Sequence, residues 1–155
     1  MKHLIKITTV LLVVPVLLQT GCKKYEDGPA FSLRSKKARL VNYWKIDKWF
    51  QNGTDYTDSM YLYPYYKFKD DNTGISEVWM HDSYTNMWYK QDPIKITWEF
   101  SDKKDSVLIY NSDHDLLDGF LILRLKEKEL WMQTTMLLGD EKVVVEERFV
   151  PVCDD

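Results

Sequence analysis

The seven residues Ile94-Lys95-Ile96-Thr97-Trp98-Glu99-Phe100 alternate without a break between apolar and polar. Successive side chains of a β-strand point to opposite faces, so Ile94, Ile96, Trp98 and Phe100 share one face and Lys95, Thr97 and Glu99 the other. Such a segment is a half-buried strand. It belongs in a sheet with one face on a core and one in water, which is the antiparallel kind.

The same period recurs on both sides. Upstream, residues 42–50 read as a strand ending at Asn52-Gly53, and residues 60–69 as an aromatic-rich strand in which Pro64 marks an edge or a bulge. Asp70-Asp71-Asn72-Thr73-Gly74 is a tight turn into a third strand at 75–80. Residues 81–92 are polar and read as a loop, with Met87-Trp88-Tyr89 extended inside it. Downstream, Asp102-Lys103-Lys104-Asp105 turns the chain into a strand at 106–110, and 111–118 is an acidic loop. Further strands are predicted at 119–125, 130–135 and 142–150. Residues 32–41 form the only convincing helix, capped by Ser32 or Ser35. Eight strands with short turns suit a single antiparallel meander, which removes its free edges by closing. The predicted fold is all-β: an eight-stranded antiparallel up-and-down β-barrel with a short N-terminal helix.

The N-terminus has a different character. Lys2 and Lys6 precede an apolar run at 10–18 and then Gln19-Thr20-Gly21-Cys22. Positive charge, an apolar stretch and a small residue before a cut make a secretory signal. The run is about half the ~20 residues a membrane span needs, and Pro15 interrupts it. Cys22 directly after Thr20-Gly21 resembles the bacterial lipoprotein processing site, although Gln19 stands where that pattern usually has Leu. The resemblance implies that Cys22 is acylated and becomes the first residue of the mature chain. Ordinary cleavage, leaving Cys22 a free thiol, is the alternative. The domain plan is a signal peptide at 1–21, a lipidated tether at 22–34 broken by Gly28-Pro29, and a barrel domain at 35–155.

The chain carries a formal charge of −3, and losing Lys2 and Lys6 makes the remainder more acidic. No clustered basic surface exists for phosphates beyond the short run at 34–39, so nucleic acid is excluded as a partner. There are two cysteines, Cys22 and Cys153. With Cys22 acylated, Cys153 has no internal partner and reads as a tail residue, and no disulfide framework is available.

Ser35-Lys36-Lys37-Ala38-Arg39-Leu40-Val41 before the first strand, Trp44 within it, Asn52-Gly53 closing it, the stretch from Tyr66 through Gly74, and Leu130-Trp131 come in an order that resembles the lipocalin-like lipoproteins of Bacteroidetes. The resemblance covers about residues 35–150. It implies a lipid-anchored protein of the outer membrane, facing the periplasm or the cell surface, with a small hydrophobic ligand in the barrel. It also implies that Trp44 on the first strand and Arg148 on the last form a structural pair closing the barrel. Asn42 stands where lipocalins have the glycine of Gly-x-Trp.

No catalytic constellation stands out, and the protein reads as a non-enzyme without cofactor. No serine sits in a Gly-x-Ser-x-Gly turn. His81 and His114 lie beside acidic residues, but Asp113-His114-Asp115 points in different directions on an extended chain, so no metal site is predicted. Of Glu146-Glu147 only one faces inward, where it needs a partner such as Lys48 or Arg124. Tyr66, Phe68, Trp98 and Trp131 read as core. Tyr66, Trp79, Tyr84, Trp88, Tyr89 and Trp98 are the candidate ligand-binding residues. Two functions stay open: non-catalytic binding of a small hydrophobic or amphipathic ligand in the barrel, and a protein-interaction or inhibitor module at the cell surface using the exposed aromatics near Tyr84, Trp88 and Tyr89.

Overall fold

The computed structural model describes residues 34–153; the predicted signal peptide, Cys22 and most of the tether lie outside the described residues. Helix α1 (Lys36–Leu40) comes first, with the Ser35 hydroxyl accepting the Ala38 N–H at 3.1 Å. Ten strands follow: β1 (Tyr43–Gln51), β2 (Thr54–Asp55), β3 (Leu62–Phe68), β4 (Thr73–Asp82), β5 (Met87–Lys90), β6 (Ile94–Phe100), β7 (Ser106–Tyr110), β8 (Leu116–Leu125), β9 (Leu130–Leu138) and β10 (Glu141–Pro151).

Eight of them close on themselves. β1, β3, β4, β6, β7, β8, β9 and β10 pair antiparallel in that order, and β10 returns to β1 from Trp44↔Pro151 to Gln51↔Val145. This is the predicted eight-stranded up-and-down barrel. β2 and β5 are additions to it. β2 folds back on the end of β1 across Asn52-Gly53, both with positive φ, as a two-residue type I′ hairpin demands. β5 contains the predicted extended Met87-Trp88-Tyr89 and makes a hairpin of what read as a loop at 81–92. β4 continues to Asp82, turns at residues 83–86 and returns as β5, so that Trp79–Asp82 pair β5 while Thr73–Ser76 pair β6 on the same edge. Met87, Trp88 and Tyr89, in a short stretch bounded by Asn86 and Pro93, make a strand that the polar residues around them hide.

Three other details bear on the expectations. β8 starts at Leu116, inside the predicted acidic loop. Of the two roles predicted for Pro64, edge or bulge, it takes the edge: it pairs Val78, at a height where β3 has lost its ladder to β1 and needs no N–H on that side. In the turn before β4, Asn72 takes the left-handed conformation at φ 64°. Gly74 is instead a space requirement, since a Cβ there would lie 2.5 Å from the Lys67 carbonyl oxygen.

The barrel has two unlike halves. α1 covers one end: Arg39 donates to the Leu125 carbonyl at 3.0 Å, Lys37 to the Asn72 side chain, and Lys36 to the Lys104 carbonyl. Beneath it Leu40, Trp44, Phe68, Trp98, Ile109, Leu130, Met132 and Phe149 are all shut off from water. Each such side chain contributes roughly 1.5–3 kcal/mol by its burial. At the opposite end, the mouth, inward-facing residues remain wet.

Register breaks decide which residues face in. The extra residues are Asp47 in β1, Leu117 in β8 opposite β7, and Leu123 in β8 opposite β9. Each inserted residue shifts the alternation by one. Lys48 and Arg124, which strict alternation would place on the inner face with Ile46 and Ile122, therefore stand outside.

Candidate functional site

The mouth is built from one face of seven strands. On β3 and β4, Leu62 pairs Met80, Pro64 pairs Val78, and Tyr66 pairs Ser76; Ile94 of β6 also pairs Ser76. Trp49 of β1 stands opposite Glu147 of β10, and Val145 of β10 opposite Thr134 of β9. Asp118 of β8 is opposite the buried Ile109 and therefore also points inward. Val145 is buried, but other apolar side chains on this face reach solvent: Ile94 is 52%, Met136 40% and Leu62 39% exposed.

The floor of the mouth is polar. The Tyr66 ring rests on the core, 5.8 Å from Phe68, 6.1 Å from Phe120 and 5.7 Å from Phe149. Burial raises its hydroxyl pKa, and the nearby Glu147 and Asp118 raise it further. These three groups, from three strands, thus share one space. Asp118 accepts hydrogen bonds from the Gly119 N–H at 2.8 Å and the Thr134 hydroxyl at 3.4 Å, yet burial still holds its carboxyl above the usual range. Glu147 is in a harder position. Burial, with Asp118 beside it, pushes its carboxyl up to about 7, and its Oε2 is closed to solvent without a hydrogen-bond partner.

The partners predicted for an inward glutamate are elsewhere. Arg124 pairs Glu129 on the outer surface, and Lys48 stands opposite Arg148 on the outer face of the β1–β10 ladder. Glu146, the outward neighbour, takes Arg148 at 2.7 Å. Of Glu146 and Glu147, between which the sequence does not choose, Glu147 is the one that faces inward, and the structural pairing expected for it does not form. The available signal was one carboxylate on the inner face of the otherwise apolar series Val143, Val145, Phe149.

The pair Trp44 and Arg148 implied by the resemblance does not form. Trp44 faces inward at the capped end, where its indole N–H donates to the Leu40 carbonyl at 2.8 Å. Arg148 lies between the inward Glu147 and Phe149, so it points outward. Its guanidinium lies 4.1 Å from the Trp131 ring and 4.4 Å from Phe50. Trp131, expected in the core, is on the outer face for the same reason: its neighbours Leu130 and Met132 take the inside.

The six candidate ligand residues divide. Tyr66 is at the mouth floor. Trp98 is sealed in the core, its indole N–H donating to the Thr73 carbonyl at 3.0 Å. Tyr89 pairs Met80 on the inner side of the β4–β5 hairpin. Trp79 and Trp88 take the opposite face, Trp79 beneath Lys90, and Trp88 4.8 Å from both Tyr63 and His81. Tyr84 stands at the hairpin tip, 99% exposed. Among the described residues no group of three His, Cys, Asp or Glu could hold a metal ion. His81 contacts Asn86 at 3.1 Å, and His114 occupies a turn of positive φ. Cys153 is exposed but is not a free thiol, contrary to its reading as an unpaired tail. The chain has one other cysteine, Cys22, so an internal disulfide and acylation of the Cys22 thiol exclude one another.

No protein-family model matches the sequence, and no curated protein matches it significantly. Solved structures similar to the chain include the bovine lipocalin allergen Bos d 2, with a TM-score of 0.46, 8% identity and 77% of each chain covered. Japanin from Rhipicephalus appendiculatus bound to cholesterol is another, at TM-score 0.45 and 10% identity, covering 77% of this chain and 80% of that one. The barrel assignment rests on the closed β10–β1 ladder itself.

Proposed function

We propose that the protein is a non-catalytic binder that holds a small amphipathic molecule in the barrel mouth. The observation that carries this reading is the contrast between the two ends. One half of the barrel is filled and capped by α1, while Leu62, Ile94 and Met136 face inward yet touch water. Inward-facing apolar side chains at the open end, above a few polar groups, suit a ligand with an apolar body. The signal at 1–22 supports placing the protein on a bacterial outer membrane through acyl chains at Cys22, where several chains anchor stably and one does not.

Native mass spectrometry of the full chain, expressed in a bacterium and extracted from its envelope, tests both parts. A co-purifying small molecule of defined mass, together with a mass increase matching N-terminal acyl chains, is the expected result. A bare protein mass would sink the carrier reading, and an unmodified Cys22 disulfide-bonded to Cys153 would sink the anchor. Cys22→Ser should also release the protein from membranes that survive a carbonate wash.

A second reading uses the β4–β5 hairpin as a protein-docking element. Tyr84, Met87 and Trp88 are all exposed on it, and β5 has a ladder to β4 on one side. A clean apo mass would direct attention there.

A further inference from the structure

We propose that the barrel mouth selects ligands whose polar head is an amine, in preference to fatty acids or phosphate-headed lipids of the same length. This rests on the carrier reading and deepens it, because it names the head group. Glu147 projects inward from β10 with its Oε2 shut from solvent and lacking a hydrogen-bond partner. A buried carboxylate oxygen without a donor costs free energy, and the described side chains supply none to Oε2. The groups facing it from the surrounding strands are Trp49 (β1), Tyr66 (β3), Asp118 (β8) and Met132 and Thr134 (β9). None is basic, and Asp118, which accepts from the Gly119 N–H and the Thr134 hydroxyl, is a second acid beside it.

The bases that could have satisfied this pair are held outside by backbone geometry. The bulge at Asp47 turns Lys48 outward, and the bulge at Leu123 turns Arg124 outward to Glu129 and Trp131. Among the described residues the site thus keeps two carboxyls and no cation. A ligand ammonium donates up to three hydrogen bonds, and its charge lets Glu147 and Asp118 ionise. An entering carboxylate or phosphate would instead meet two acids and no donor cation. The apolar rim of Leu62, Met80, Ile94 and Met136 then receives the ligand body.

The test compares 4-phenylbutylamine, 4-phenylbutanol and 4-phenylbutyrate, three soluble probes with one body and different heads. Binding to the full chain is measured by calorimetry at neutral pH. The amine should bind about tenfold or more tighter than the alcohol, and the acid weakest. Glu147→Gln should bring the amine down to the alcohol's affinity while alcohol binding persists. Glu141→Gln, an exposed charge at the β9–β10 turn, should leave the preference intact and so exclude a general effect of the acidic surface. Equal affinities for the three heads, tighter binding of the acid, or an amine preference that survives Glu147→Gln would overturn the head-group inference alone. Failure of all three probes to bind would overturn it together with the carrier reading.

Discussion

Glu147 is held by neighbours that favour its neutral form. An ordinary glutamate titrates near 4.5, whereas burial and then Asp118 bring this one to about 7. The folded state binds its proton more tightly than the unfolded chain does. The stabilisation from that preference is fully present below about 4.5 and is lost as pH rises through about 7. Glutamine at this position cannot ionise and keeps the neutral shape. Glu147→Gln should therefore gain on the parent between pH 5 and pH 8, by on the order of 2–3 kcal/mol, in urea unfolding at the two pH values. A difference that does not change with pH would mean that Glu147 ionises at no cost in the folded barrel. The raised carboxyl of Asp118 acts in the same direction.

At the scale of elements, the strands are unequal in what holds them. β10 has β9 on one side and β1 on the other along most of its length. β5 spans four residues, all exposed, and pairs β4 on one side. Its support is a small aromatic contact set on the outer face, where Trp88 meets Tyr63 and His81. Local opening takes little free energy where few apolar contacts and a single ladder must be broken. Hydrogen exchange should show the amides of β5 losing protection well before those of β9 and β10. Comparable protection would mean that the hairpin is part of the cooperative barrel unit and not an appendage free to meet a ligand or partner.

At the scale of the whole molecule, stability resides in the capped half and binding in the mouth. Trp44 links these levels, since it is buried beneath α1 and tied to it through Leu40. Trp44→Ala should cost about 3–5 kcal/mol in chemical denaturation, the range for emptying an aromatic site in a core. Trp88→Ala, on an exposed hairpin, should cost less than half as much. Similar losses would show that the hairpin shares in the core and that the division between the two halves is wrong.

Much of the architecture was legible in local pattern. Ile94 to Phe100 alternate because one face is buried and the other wet, and the same physics marks β1, β3, β7, β9 and β10. Ser35 announces its helix by the hydrogen bond only a short polar side chain can make. Met87-Trp88-Tyr89 reads as extended, but that it pairs β4 as a hairpin strand was not legible, because four residues are too few, and too mixed in polarity, to show a partner. The inner polar floor was hidden for a different reason. Tyr66, Asp118 and Glu147 lie on three strands far apart in sequence, and only closure of the barrel brings them together. Whether a lysine or arginine would join them depended on Asp47 and Leu123 being extra residues in their ladders. A bulge arises from how two strands match in length and twist, a property of the pair that neither strand's sequence displays alone. Alternating hydrophobicity in the sequence thus determined that this chain forms a half-wet antiparallel sheet, while tertiary pairing alone decided which charges face its interior.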